Sequence, residues 1–282
     1  MSIPSEHSEK LALTVVFSAE PRLFALIIGI DNYIQGTKLR GSCADASAIE
    51  IYLKTALNVP DNQITVLLDQ AASRKAIINA FKVLKDNREI QPGDPILIFY
   101  AGHGAEIPDG DADETRKIQS IVPYDYDGTT IDPIPDKTIG SLLAQLHEAK
   151  GDNIVSKFSV YLFFFCSITV QTIILDCCHS GGATRDNGDG KFLVRAAEID
   201  KSYKLPADLD TDITELTRAT KTFSPGAFNT HVLLAACSDK ELARESGGRG
   251  QFTKALLELF KVTPLERLTY HETPSRMEKI IG

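Results

Sequence analysis

TIILDCCHSGG (172–182) is the stretch on which the reading of this chain turns. Four apolar or β-branched residues run into Asp176, Cys177, Cys178 and His179, and small residues follow. A continuous apolar run of this kind suits a strand buried on both faces. In a parallel sheet, ligands gather outside the carboxyl ends of such strands. Two thiols and an imidazole at a strand end therefore stand where chemistry is done.

Outward from that stretch the same design repeats. LFALIIGI (23–30), QITVLLD (63–69), DPILIFYAG (94–102) and HVLLAACS (231–238) read as further strands, and KIQSIV (117–122) as a short hairpin strand. The spacing turns helical from Ala44 to Leu57. Ser73 is a cap for a helix with Ile77, Ile78, Ala80, Phe81 and Leu84 on its inner face. Asp136 caps a helix through Ala149, and GQFTKALLELF (250–260) is a last amphipathic helix. Strand–helix alternation predicts an α/β fold, a three-layer α/β/α sandwich with a mostly parallel central sheet. Its strand ends would carry Asp31, His103, Cys178 and Asp239.

Composition narrows the class. The 282 residues, 43% hydrophobic, suffice for one large domain or two small ones. The net charge of −8 and the lack of a basic tract exclude nucleic acid and anionic membrane as expected partners. An acidic chain with a cleft would favour cationic ligands. MSIPSEHSEKLALTVV does not read as a secretory signal. Five cysteines, Cys43, Cys166, Cys177, Cys178 and Cys237, show no paired spacing and suit a reducing, cytoplasmic setting. Residues 183–228 break the alternation. Only TDITELTRAT there suggests a short helix, so the segment reads as a functional loop or linker.

Two strand ends carry the chemistry. In YAGHGAE (100–106), His103 lies between Gly102 and Gly104, where the backbone can approach a ligand and leave amide hydrogens accessible. In the opening stretch a thiol needs a base, because a free Cys with a pKa of about 8.5 is mostly protonated at neutral pH. His179 is poorly placed for this, since neighbouring side chains at a strand end point to opposite sides. His103, from a neighbouring strand end, is better placed. Cys177 reads as a buried space-filling thiol and Cys178, at the tip, as the reactive one. Zinc would want C-x-x-C pairs, and adjacent cysteines do not supply them.

YAGHG followed by DCCHSGG resembles the caspase-like cysteine peptidases, the metacaspases most of all. Their usual motifs are Ser-Gly-His-Gly and Asp-(Ser/Cys)-Cys-His-Ser-Gly. LIIGIDNY (26–33), LRGSCADA (39–46) and LLAACSDKELARE (233–245) extend the resemblance from about Arg22 to about Tyr270. It implies a caspase-like sandwich and a cysteine endopeptidase that cuts protein or peptide substrates after Arg or Lys through an acyl-enzyme. Cys178 would be the nucleophile, His103 the base, and the backbone N–H groups of Gly104 and Cys178 the oxyanion donors. Asp45 and Asp176 would bind the basic side chain of the substrate. No organic cofactor is implied. Calcium is an expectation of the resemblance, with Asp109, Asp111 and Asp113 in DGDADE as its candidates. That loop fails the EF-hand pattern at Glu114 and Ser120, and otherwise reads as a solvated acidic loop.

Ala101 stands where the family's pocket often has Ser, and Ser42 where it has Cys. A larger departure is VSKFSVYLFFFCSITVQ, residues 155–171, whose removal leaves GDNITIILDCCHSGG as one uninterrupted strand. It shortens the His103–Cys178 separation from 75 positions to 58 (75 − 17), near the ~50 of caspases. Val can begin with GT and Gln can end with AG, so a retained intron translated in frame is one reading; a transmembrane span and an added strand are the others.

The expected organisation is a short extension at 1–20 and a peptidase domain at 21–282. Its large-subunit part would be 21–200, its linker 201–228 and its small-subunit part 229–282. Lys191, Arg195, Lys201, Lys204, Arg218 and Lys221 offer self-processing sites within 183–228. The carboxyl end reads as truncated. The rival expectation is a catalytically impaired interaction module on the same fold.

Overall fold

The computed structural model describes residues 22–109, 117–151, 171–177, 192–200, 202–215, 231–236, 243–263, 268 and 272–281. In chain order the elements begin with β1 (Phe24–Gly29), α1 (Ser42–Thr55), β2 (Ile64–Leu68), α2 (Arg74–Asp86) and β3 (Ile96–Ala101). Then come β4 (Gly104–Pro108), β5 (Lys117–Ile121), β6 (Ile134–Pro135), α3 (Asp136–Lys150) and β7 (Gln171–Asp176). Beyond these lie β8 (Leu193–Val194), α4 (Thr211–Thr214), β9 (His231–Ala235), β10 (Arg244–Ser246), β11 (Arg249–Gly250), α5 (Gln251–Val262) and α6 (Thr273–Ile281).

The central sheet runs β2-β1-β3-β7-β9, with every pair parallel. Successive side chains of a strand face opposite ways, and here both ways lead into core. Leu26, Ile28, Ile98, Tyr100, Ile173 and Leu175 meet Ile77 and Phe81 of α2 and Leu143 of α3 on one face. Ala25, Ile27, Phe99, Ala101 and Ile174 meet Ile49 of α1 and Leu256 of α5 on the other. Each large side chain so buried contributes about 1.5–3 kcal/mol. This two-sided demand is why the strands read as unbroken apolar runs, and the α/β fold with a mostly parallel sheet stands as expected.

Register sets the site. Ala101 of β3 lies opposite both Gly29 of β1 and Asp176 of β7, so three strands end at one level. Residues past those ends share one edge of the sheet.

Helix ends differ from the sequence reading in two places. Helix α1 starts at Ser42 rather than Ala44, because the Asp31 carboxylate accepts the Ser42 N–H at 2.7 Å and the Cys43 N–H at 3.2 Å. The cap comes from the end of β1, since Gly41 has no side chain to offer. Asp136 is the first residue of α3, not its cap; Pro135 holds the cap position in an extended conformation. The Asp136 carboxylate accepts the Lys137 N–H instead, a favourable place for an anion. Ser73 caps α2 as expected, accepting the Ala76 N–H at 3.2 Å.

Two small antiparallel sheets, β4-β5-β6 and β11-β10-β8, go beyond the single hairpin strand expected at 117–122. The second draws β8 out of the segment read as linker. Among the described residues no helix is long and apolar enough to cross a membrane. Residues 155–170 lie outside the described part, so the readings offered for that insert rest on sequence alone, while Gln171 opens β7.

Candidate active site

His103 follows β3 and is held by two tyrosines. The Tyr33 hydroxyl accepts the His103 N–H at 2.6 Å, and the Tyr100 hydroxyl donates to the His103 carbonyl at 2.7 Å. The same crowding explains Gly102: a Cβ there would lie 2.5 Å from the Tyr33 oxygen and 2.7 Å from that of Tyr100. The imidazole packs on the Tyr33 ring with centroids 4.7 Å apart. Its Nε2 lies 2.7 Å from the Thr37 carbonyl. A carbonyl only accepts, so Nε2 carries the hydrogen and Nδ1 is the bare acceptor. Nδ1 is buried with no hydrogen-bond partner among the described residues. Burial lowers the pKa of the imidazole below 6.5, and the charge of Arg195 acts the same way against the Thr37 carbonyl. The ring is thus neutral near pH 7, with its basic nitrogen unengaged.

Beside it stands an acidic chamber. Asp45, at the start of α1, Asp176, at the end of β7, and Glu245, on β10, are each at most 2% exposed. All three close on one guanidinium, that of Arg195, which is itself fully buried. Arg195 Nη2 lies 2.6 Å from Asp45 and 3.3 Å from Glu245, and Nη1 lies 2.9 Å from Asp176. Burial raises the pKa of Asp45 and of Glu245, opposed by the charge of Arg195. Burial alone would lower that of Arg195, yet the charges of Asp176, Asp45 and Glu245 outweigh it and hold the group above its ordinary range.

The chamber has built walls. The Asp176 carboxylate also accepts from the Thr253 hydroxyl at 2.6 Å, and Asp45 accepts the Gly250 N–H at 2.7 Å. Arg249 Nε reaches Asp45 at 2.5 Å from a position 32% exposed. Glu245 accepts the N–H groups of Arg40 and Gly41 at 2.7 and 3.1 Å. A Cβ on Gly250 would sit 2.6 Å from both Asp45 and Asp176 and 2.7 Å from Arg195. Gly250→Ala is therefore expected to displace the Arg195 guanidinium from the chamber. A lower melting temperature should report the overpacking.

The main chain of Arg195 is held as firmly as its side chain. Its N–H donates to the Ala243 carbonyl at 3.0 Å, and its carbonyl accepts the Gly104 N–H at 3.0 Å. Upstream, β8 pairs antiparallel with β10. Downstream, the Ala197 N–H donates to the Gly104 carbonyl at 2.8 Å.

Of the residues singled out from sequence, His103, Gly104, Asp45 and Asp176 converge. Cys178 lies outside the described residues, as do Asp111, Asp113 and Asp239. Cys177 is fully buried against the core, as the space-filling reading expects. Asp109 is described, but no group of three His, Cys, Asp or Glu side chains that could hold a metal occurs among the described residues. The sequence motifs do not single out Glu245 or Gly250, and Arg195 is one basic residue among six in its segment. Their signals were FLVRAA (192–197), an apolar run ending in Arg within a polar segment, and the acid closing LLAACSDKELARE.

The caspase-domain profile of peptidase family C14 matches residues 22–279. Metacaspase-7 of Arabidopsis thaliana is 30% identical over 169 residues, covering 56% of this chain and 34% of that protein. Metacaspase-1 of Eremothecium gossypii is 25% identical over 229 residues, covering 79% of this chain and 45% of that protein. The chain thus spans less than half the length of these relatives. The crystal structure of protein GSU0716 from Geobacter sulfurreducens superposes with a TM-score of 0.60 at 21% identity, over 92% of this chain and 89% of that one.

Proposed function

The chain belongs to the caspase-domain family, and from that premise we propose that it is a cysteine endopeptidase that cuts protein substrates after Arg or Lys. One observation carries the specificity: a guanidinium enclosed by Asp45, Asp176 and Glu245, beside His103 and the Gly104 N–H. Three buried carboxylates without a cation would be costly, so the chamber selects a long basic side chain. An aspartate-directed site would need the opposite sign.

In this reading Cys178 gives its proton to Nδ1 of His103 and its sulfur adds to the substrate carbonyl. The oxyanion is met by the Gly104 N–H and by that of Cys178, donors each worth about 10²–10³ in rate. His103 returns the proton to the leaving amine, and water then releases the acyl group. The Thr37 carbonyl fixes the tautomer that leaves Nδ1 free for both transfers. No organic cofactor is proposed and no step passes through a metal. Calcium remains a proposal drawn from the family resemblance. The odd number of cysteines and their unpaired spacing fit a reducing compartment, here proposed as the cytoplasm. We assign 21–200 and 229–282 to the large- and small-subunit parts, consistent with β9 completing the sheet beside β7.

The test is a peptide library presented to chains with and without residues 155–171, each with and without calcium. Cleavage after Arg and Lys, with a thiol-directed arginyl probe lost in Cys178→Ala and kept in Cys177→Ala, is the expected result. Cleavage after Asp, or a folded chain that neither cuts nor labels, would return the fold to the role of an interaction module.

A further inference from the structure

Two tyrosines that touch His103 take no part in the mechanism above: Tyr33, in the loop between β1 and α1, and Tyr100, on β3. We propose that their hydroxyls clamp the His103 main chain, which makes Tyr33 and Tyr100 positioning residues for the general base and for the Gly104 N–H. The inference rests on the peptidase reading above and adds two residues that act through its groups.

The hydrogens can be followed one by one. Burial raises the pKa of both phenols, so each keeps one hydrogen to donate. The Tyr100 oxygen lies 2.7 Å from the His103 carbonyl and 3.0 Å from that of Val122. Carbonyls only accept, so the Tyr100 hydrogen points to them. The Tyr33 oxygen accepts the His103 N–H at 2.6 Å. The two hydroxyls also hydrogen-bond to each other. With the Tyr100 hydrogen committed, Tyr33 is the donor in that bond. The result is a closed circuit: His103 N–H to Tyr33, Tyr33 to Tyr100, and Tyr100 back to the His103 carbonyl.

This circuit fixes the peptide groups on both sides of the His103 Cα. The second of them carries the Gly104 N–H, because a planar peptide joins the carbonyl of one residue to the N–H of the next. Holding the His103 carbonyl therefore aims the proposed oxyanion donor as well as the imidazole. Packing alone does not account for the hydroxyls. Tyr33 and Tyr100 are 4% and 1% exposed, in one apolar cluster with Phe24 and Phe81. A phenylalanine would fill either place without a polar atom to satisfy. The loop that brings Tyr33 also brings the Thr37 carbonyl to Nε2, so it grips both the main chain and the ring of His103. It is tied in turn to the end of β2, where the Asp69 carboxylate accepts the Asp31 and Asn32 N–H groups at 2.8 and 2.9 Å.

Tyr33→Phe and Tyr100→Phe each remove one hydroxyl and keep the ring. Tyr100→Phe leaves the His103 carbonyl with the Val122 N–H at 3.0 Å, so it is expected to fold even where Tyr33→Phe does not. The experiment measures cleavage of an arginyl reporter by the full chains. On the same chains it follows the His103 imidazole by NMR with labelled histidine, the resonance identified by its loss in His103→Ala. Each variant should lower kcat about 10- to 100-fold with KM within about twofold, the effect of a slightly misplaced catalytic group. The double variant should lose no more than the worse single one, because both act in one circuit. The unsubstituted ring should show the single Nε2–H tautomer. The variants should show a mixture, with the pKa moved from its lowered value toward 6.5 as water reaches a loosened ring. Of the charged groups facing that ring, Arg195 lowers its pKa and Asp31 raises it, and the substitutions alter neither. An unchanged kcat would overturn the clamp. So would a lowered kcat with tautomer and pKa as before, which marks the hydroxyls as structural, and so would losses that multiply in the double variant. If the unsubstituted chain does not cut the reporter, the peptidase reading fails. The NMR arm then decides the clamp alone, and an unchanged tautomer overturns it.

Discussion

His103→Ala is expected to lower kcat/KM for an arginyl peptide by about 10²–10⁴, the usual contribution of a positioned general acid–base group. In the proposed mechanism that role falls to one nitrogen. Nε2 is committed to the Thr37 carbonyl, and Nδ1 is bare among the described residues. Only the neutral ring can accept a proton, and burial holds its pKa below 6.5. Activity should rise with pH through that lowered value and level off by neutrality. Stability carries the same sign. The native state disfavours the protonated ring, so stability is lost as pH falls from the ordinary imidazole range through the depressed pKa. The checks are a pH–rate profile of the enzyme and melting curves across the same range. An acid limb centred above 6.5, or a His103→Ala chain that keeps its rate, would remove His103 from the reaction.

Asp176→Asn should nearly match that loss for arginyl substrates while sparing neutral ones. The substitution keeps size and an oxygen for Thr253, and removes one charge from a desolvated pair. Breaking one side of such a pair costs about 2–5 kcal/mol, which is roughly 30-fold to several-thousand-fold in kcat/KM. Because Arg195 uses the same carboxylate, the chain should also melt at a lower temperature. Measuring kcat/KM for matched arginyl and glutaminyl peptides separates the effects: a specificity role collapses their ratio, whereas general damage lowers both together. Asp45 is a less clean target, since it also holds Arg249 and the Gly250 N–H.

Much of the architecture was legible because burial on both faces leaves a strong local signature. The runs at 23–30, 94–102 and 172–176 can be neither exposed nor helical without stranding their apolar residues. The edges of elements were less legible. Helix α1 begins two residues early because Asp31 reaches over from β1, and no local pattern encodes a cap supplied by another strand. Strand β8 is two residues long and exists through its pairing with β10. Such a short strand has no periodicity to read.

The sequence by itself determined the strands of the sheet and the histidine and cysteine motifs at their ends. Those properties are local, written in runs of a few residues. Only the tertiary structure decided that Asp45, Asp176 and Glu245 face one point, and that Arg195 fills it. The Arg195–Asp45 contact spans 150 positions and the Gly250–Asp45 contact 205. Contacts at such separations arise from strand register and helix packing. In the sequence they leave nothing but isolated charges, each of which could equally have faced water.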